Sequence, residues 1–245
     1  LLTAKAYAEG GRAFSSFIAL QIDRELNHPD EAVRKDAGEM VTLLTPIIKA
    51  FMTDNGWIAT SEAMQVFGGS GYITGTGIEQ YVRDARINMI YEGTNTIQSL
   101  DLLGRKILLD NGAKLKKFGA LVQAFVEENG TDEAMNEFVT PLADLGDKVT
   151  KLTMEIGMKA MQNQDEVGAA AVPYLRVVGH LVYSYFFARM AKIALEKQDS
   201  GDTFYKAKLA TARFYFARLL PETAMLIRQA RSGAKSLLDL EAELF

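Results

Sequence analysis

There is no cysteine among these 245 residues. That absence excludes disulfides and thiolate metal sites, and it fits a reducing, cytoplasmic setting. Histidine occurs only twice, at His28 and His180, far apart and outside any Glu-x-x-His pattern, so no metal centre is expected. Basic residues are not in excess: 27 Lys and Arg face 31 Asp and Glu, for a net charge of −4. Phosphate binding rests on cationic excess, which argues against nucleic acid as a main partner. Long apolar runs are missing too. The longest, Val177 to Phe187, contains His180 and is flanked by Arg176 and Arg189, too short and too polar for membrane insertion. The start at Leu1 carries neither a charged n-region nor a cleavage site, so no signal peptide is expected and the chain reads as a fragment.

What remains is an ordinary globular composition, with 24% charged residues and enough length for one or two domains. Only five prolines interrupt long stretches of Ala, Leu, Met, Glu and Lys, and Val/Ile/Thr alternation is rare. The expected fold class is all-α. A first helix runs from Leu1 to about Leu26 and ends at His28-Pro29-Asp30, with Asp30 able to cap the next. The second covers Glu31 to Phe51, with a kink rather than a stop expected at Pro46, and a break at Thr53-Asp54 or Asn55-Gly56 precedes a third from Trp57 to Phe67. A glycine-dense loop, Gly68 to Gly77, follows, then a short helix from Ile78 to Arg86 and another from Thr94 to Leu109. Asp110-Asn111-Gly112 is the expected domain boundary, dividing residues 1–109 from 110–245. Beyond it come Lys114 to Glu128, Asp132 to Gln164, a gap at Asn163 to Gly168, and two very apolar helices, Ala169 to Lys197 and Thr203 to about Arg231, the latter interrupted by Pro221. Their hydrophobicity on nearly all sides predicts burial in a bundle or interface.

Chemistry concentrates in three nearby segments: Gln65-Val66-Phe67-Gly68-Gly69-Ser70-Gly71-Tyr72, Arg83-Asp84-Ala85-Arg86-Ile87, and Tyr91-Glu92-Gly93-Thr94. Glycines let backbone amides approach a ligand, so the loop suits a diphosphate or sugar edge, although it is neither a P-loop nor a dinucleotide fingerprint. Glu92 lies between an apolar stretch and a glycine, a place for a candidate base; a plain alternative is a helix-terminal acid complementing the macrodipole.

In order and spacing these motifs resemble the C-terminal helical domain of the acyl-CoA dehydrogenases, FAD enzymes that oxidise acyl-CoA thioesters to 2-enoyl-CoA. The resemblance covers residues 1 to about 109. It implies that Glu92 is the catalytic base, that Gln65, Gly68 and Gly69 contact the adenosine diphosphate part of FAD held by a neighbouring subunit, and that Thr94 and Thr96 reach the flavin nucleotide. Many members carry Gln at the Thr96 position. Tyr91 and Gly93 would line the acyl and thioester pocket. A base for the α-proton needs dry surroundings that raise a carboxylate toward the operating range, with hydrogen bonds to the thioester carbonyl from the flavin ribityl hydroxyl and the glutamate's own N–H. The resemblance further implies an acyl-CoA thioester as substrate, an electron-acceptor flavoprotein, a homo-oligomer (dimer or tetramer) and a role in fatty acid metabolism. A helical domain and a β-barrel that complete such enzymes are absent from these residues, so the fragment alone is expected to be inactive. Residues 110–245 resemble the appended helical domain, a second helical bundle, of longer bacterial members, including 3-methylthiopropanoyl-CoA dehydrogenases. An acyl-CoA oxidase, or a non-catalytic binding or assembly module on the same scaffold, is the alternative.

Elsewhere the readings are structural. Arg83, Asp84 and Arg86 suggest a helix-surface ion-pair set, and Lys114, Lys116 and Lys117 a solvated face. His180 and the aromatic segments Tyr183 to Phe187, Phe204-Tyr205 and Phe214 to Phe216 are expected in the core.

Overall fold

The computed structural model describes residues 1–244, and every regular element among them is helical. Helix α1 (Leu2–Asn27) leads through His28-Pro29 to α2 (Glu31–Val66). Asp30 caps α2 by accepting a hydrogen bond from the Ala32 N–H at 2.8 Å. Two 3-10 turns, Gly68–Tyr72 and Thr74–Thr76, then lead to α3 (Ile78–Ile87) and α4 (Asn95–Leu100). Beyond the Asn111-Gly112 turn, where both residues are left-handed (φ 55° and 74°), lie α5 (Ala113–Asn129), α6 (Asn136–Ala160) and α7 (Asp165–Glu196). Helices α8 (Thr203–Phe214), α9 (Glu222–Arg231) and the single turn α10 (Lys235–Leu238) complete the chain.

Helix α7 is the axis of the bundle. It packs against α1, α2 and α4 on one side and α6, α8 and α9 on the others, which explains why it carries no polar stripe. Two glycines set how closely its neighbours approach. A Cβ on Gly10 of α1 would lie 2.5 Å from the Tyr183 ring, and one on Gly179 of α7 would lie 2.3 Å from the Phe51 ring of α2. Into those contacts pack Phe14, Phe51, Tyr183 and Phe187, all buried, with Phe51 edge-on to Tyr183 at 4.9 Å between ring centres. One hydrophobic cluster therefore runs from Ala6 to Ala230, drawing on both sides of the Asn111-Gly112 turn.

Four expectations are corrected. The break at Asn55-Gly56 does not form, because α2 passes straight through it: Asn55 is buried, facing Arg176 of α7, and tertiary contacts outweigh weak local propensity. Pro46 sits inside the same helix without ending it. The expected helix from Thr94 to Leu109 is α-helical only to Leu100; a π-helical stretch, Asp101–Ile107, then buries Leu102, Leu103 and Ile107. The gap at Asn163 to Gly168 is shorter, since α7 starts at Asp165 and Asn163 Oδ1 accepts its N–H at 3.0 Å. Finally, the apolar segment after Thr203 is not buried all round. It divides at Pro221, the Leu220 N–H bonds to the Tyr215 carbonyl in a wide π turn, and α9 buries only Thr223, Leu226, Ile227 and Ala230.

No helix among the described residues is long and apolar enough to cross a membrane.

Candidate active site

The segment after α3 is a tight reversal. The Met89, Ile90 and Tyr91 N–H groups bond back to Arg86 and Ile87 carbonyls at 2.9–3.2 Å, extending α3 by a loose turn. Glu92 (φ 54°) and Gly93 (φ 80°) then both adopt left-handed backbone, and the Asn95 N–H closes the loop on the Met89 carbonyl at 3.1 Å. For glutamate that conformation costs about 1–2 kcal/mol, so it persists only where neighbours hold it. Gln98 is one such neighbour, donating from Nε2 to the Glu92 carbonyl at 3.1 Å. A Cβ at Gly93 would lie 3.0 Å from that same Nε2, which reserves the position for glycine. Thr94 then caps α4, its hydroxyl oxygen accepting the Ile97 N–H at 3.4 Å.

Helix α2 supplies the remaining hold. Lys49 Nζ donates to the Gly93 carbonyl and to Asn95 Oδ1, each at 2.7 Å. Asn95 Nδ2 donates to Asp54 Oδ1 at 2.6 Å, to Thr53 Oγ1 at 3.0 Å and to the Ala50 carbonyl at 3.3 Å. Burial pushes the Asp54 carboxyl above its ordinary value, against the opposing pull of Asn95, Arg176 and Lys49. Burial likewise lowers the Lys49 ammonium, while Asp54 pulls it back up.

Two family profiles match this chain: "Acyl-CoA dehydrogenase, C-terminal domain" over residues 19–108 and "Acetyl-CoA dehydrogenase C-terminal like" over residues 118–241. The chain belongs to the acyl-CoA dehydrogenase family. It is 34% identical over 238 residues to the broad-specificity linear acyl-CoA dehydrogenase FadE5 of Mycobacterium tuberculosis, covering 90% of this chain and 38% of that protein. Over 225 residues it is 34% identical to the 3-methylmercaptopropionyl-CoA dehydrogenase of Ruegeria pomeroyi, covering 91% and 38%. A crystal structure of an acyl-CoA dehydrogenase complexed with FAD from Bacillus anthracis shares the fold, with a TM-score of 0.69 at 19% identity, over 94% of this chain and 41% of that one. The chain spans about two fifths of the length of the curated relatives it matches.

In this member of the family, Tyr91, Glu92, Gly93, Thr94 and Thr96 share one turn and the first turn of α4. Gln65, Gly68 and Gly69 do not join them. Gln65 lies near the C-terminal end of α2, roughly 24 Å along the helix from Lys49, and Gly68 and Gly69 lie in the 3-10 turn beyond it. All eight residues are exposed. The dry surroundings expected for Glu92 are thus not supplied by these residues, because the turn sits at the outer edge of the bundle. Beside it the chain leaves Ile90, Ile97 and Leu100 uncovered, and at the glycine turn Phe67, Tyr72 and Ile73. Tyr91 donates its hydroxyl to Asn88 Oδ1 at 2.7 Å. A cavity of about 920 Å³ lies elsewhere, between α5 and α6, and another of about 600 Å³ lies between α1 and α2.

Sequence reading missed Lys49, Asp54, Asn95 and Gln98. Its only available signal was a charge inside the apolar run Ile47-Ile48-Lys49-Ala50-Phe51. The ion-pair set assigned to Arg83, Asp84 and Arg86 is corrected: among the described residues these three form no salt bridge with one another. Asp84 accepts from Gln80 at 2.7 Å instead, and Arg86 lies over the Trp57 ring at 6.0 Å. The lysine cluster is not simply solvated either, since Lys114 pairs with Asp110 at 2.8 Å and Lys117 with Asp36 and Glu39 of α2. His180 is buried, its Nδ1 2.9 Å from the Tyr215 hydroxyl and its Nε2 facing Glu222 at 3.4 Å without hydrogen-bond geometry. Burial holds that imidazole below its ordinary value despite Glu222. The aromatic segments around Tyr183 and Tyr215 are core, whereas Phe204 is half exposed under Lys208.

Proposed function

We propose that this chain is the C-terminal part of an FAD-dependent acyl-CoA dehydrogenase that oxidises acyl-CoA to 2-enoyl-CoA, with Glu92 as the base for the α-proton. The observation that carries the reading is the pinned left-handed turn, which holds a carboxylate in a backbone conformation that glutamate does not choose unaided. In this reading the carboxylate takes the proton from the α-carbon as the β-carbon gives up its hydride. Among the described residues the Glu92 N–H has no hydrogen-bond partner, which leaves it free to donate to the thioester carbonyl as negative charge builds there. Tyr91 and Gly93 would border the acyl and thioester group.

The glycine turn fits FAD. Gly68 is left-handed (φ 59°), and no atom lies within 4 Å of where a Cβ would stand on Gly68 or Gly69, so a diphosphate can come close to the backbone. Gln65, one helical turn earlier, would hold the nucleotide with them, and Thr94 and Thr96 would reach the flavin side. When bound, FAD supplies the two-electron acceptor. The separation of the glycine turn from Glu92 suits a loop serving the cofactor of a second copy. The exposed apolar residues between Val66 and Leu100 suit coverage by that copy and by the remainder of the polypeptide, which would also dry the carboxylate.

A division at residues 109 and 110, a cytoplasmic homo-oligomer and an electron-acceptor flavoprotein complete the proposal. The test is Glu92→Gln in the full-length enzyme: FAD content should hold while acyl-CoA no longer bleaches the flavin. Bleaching at the wild-type rate would remove Glu92 from the chemistry.

A further inference from the structure

We infer that Lys49 is a positioning residue for the reaction, acting through Asn95 and the Gly93 carbonyl to fix the direction of the Glu92 carboxylate; the inference rests on the assignment of Glu92 as base. Two successive left-handed residues give the turn few backbone restraints of its own, and the bond from Asn95 to Met89 closes only its base. The bond from Gln98 reaches the loop from α4, an element that the loop itself must orient. Lys49 is different. It stands on α2, a helix that is anchored in the core by Leu43, Leu44, Ile47 and Phe51, and it reaches the carbonyl immediately after Glu92.

The geometry argues for a tether rather than for a surface ion pair. Lys49 Nζ contacts two neutral oxygens, the Gly93 carbonyl and Asn95 Oδ1, and among the described residues no salt bridge claims it. Asp54 stands on the other side of Asn95 and accepts its Nδ2 at 2.6 Å. The amide is therefore fixed in one orientation: its oxygen faces the ammonium and its nitrogen the carboxylate. A tether that holds a strained base in place supplies the rigidity that proton abstraction requires. Displacing a reacting group by about 1 Å costs on the order of 100-fold in rate, so a tether adjoining Glu92 has large leverage.

The experiment uses the full-length enzyme with Lys49→Met and Lys49→Arg, and reads three quantities: the limiting rate of flavin reduction by acyl-CoA, the dissociation constant for acyl-CoA, and amide hydrogen exchange across residues 88–98. The expected result is a reduction rate about 10- to 100-fold slower in Lys49→Met, with acyl-CoA affinity and FAD content retained and faster exchange confined to that segment. Lys49→Arg, whose guanidinium can donate to both oxygens, should restore most of the rate and the protection. A wild-type rate in Lys49→Met overturns the inference. So does a slow rate with unchanged exchange in the segment, or one that Arg does not rescue. Glu92→Gln, run alongside, separates the two claims: if it still bleaches flavin, the base assignment fails, and the exchange data still decide whether Lys49 holds the turn.

Discussion

Asn95 donates to Asp54 across a 2.6 Å contact, so the first residue of α4 is bonded to the middle of α2 by a half-buried amide–carboxylate pair. Around this contact Lys49 and Thr53 complete the hydrogen bonding of the Asn95 side chain. Removing the amide strands its partners. Asn95→Ala should therefore lower the stability of the full-length enzyme by about 1–3 kcal/mol, read as a lower midpoint in urea unfolding. A change near zero would mean that water replaces the amide at no cost.

The same pair predicts a pH signature. Burial raises the folded-state pKa of Asp54 above its ordinary 3.8. The folded chain thus holds the proton to higher pH than the unfolded one, and the stability contributed by Asp54 is complete below 3.8 and lost as pH rises through the raised value. Asp54→Asn removes this term. Subtracting the variant's unfolding free energy from that of the wild type should give a difference that falls with pH in this window and then levels off. A difference that instead rises with pH would show a depressed pKa.

A second polar cluster joins the sequence-distant parts of the bundle. Arg176 of α7 holds Glu222 of α9 with bonds of 2.8 and 2.9 Å, and its guanidinium lies over the Phe51 ring at 5.6 Å. Arg176→Met leaves Glu222 partly buried beside a neutral His180, a loss of about 2–4 kcal/mol. Adding Glu222→Leu should recover part of it, because both charges are then gone. Two single-variant losses that simply add in thermal or chemical unfolding would show that the pair is not coupled.

Close packing gives a purely steric prediction. A Cβ at Gly179 would stand 2.3 Å from the Phe51 ring, so Gly179→Ala should cost about 1–3 kcal/mol through overpacking. Pairing it with Phe51→Leu should return part of that loss, and the double-mutant cycle in urea unfolding checks it. Additive losses would show that the ring has room to move.

Legibility in the sequence followed locality. The cap at Asp30 depends on neighbouring residues, and it stands where the pattern places it. The continuity of α2 through Asn55-Gly56 does not, because a helix more than a hundred positions later covers Asn55. Hydrophobicity alone made α7 and the segment after Thr203 look alike; α7 is central, and the other lies at the side with one face in water. At the candidate site the motif order picked out Tyr91-Glu92-Gly93-Thr94, but nothing in it announced the left-handed backbone at Glu92. Nor could it reveal Lys49, which meets the turn only after α2 and α4 have packed.

The central claim is tested most directly at the substrate's α-carbon. A 3-thia acyl-CoA, with sulfur at the β-position, has no β-hydride to give and isolates the proton step. Incubated in D₂O with the full-length enzyme, it should gain deuterium at the α-carbon, measured by mass spectrometry, and Glu92→Gln should abolish that gain while keeping FAD bound. Deuterium incorporation at the wild-type rate in a folded, FAD-loaded Glu92→Gln enzyme would contradict the account.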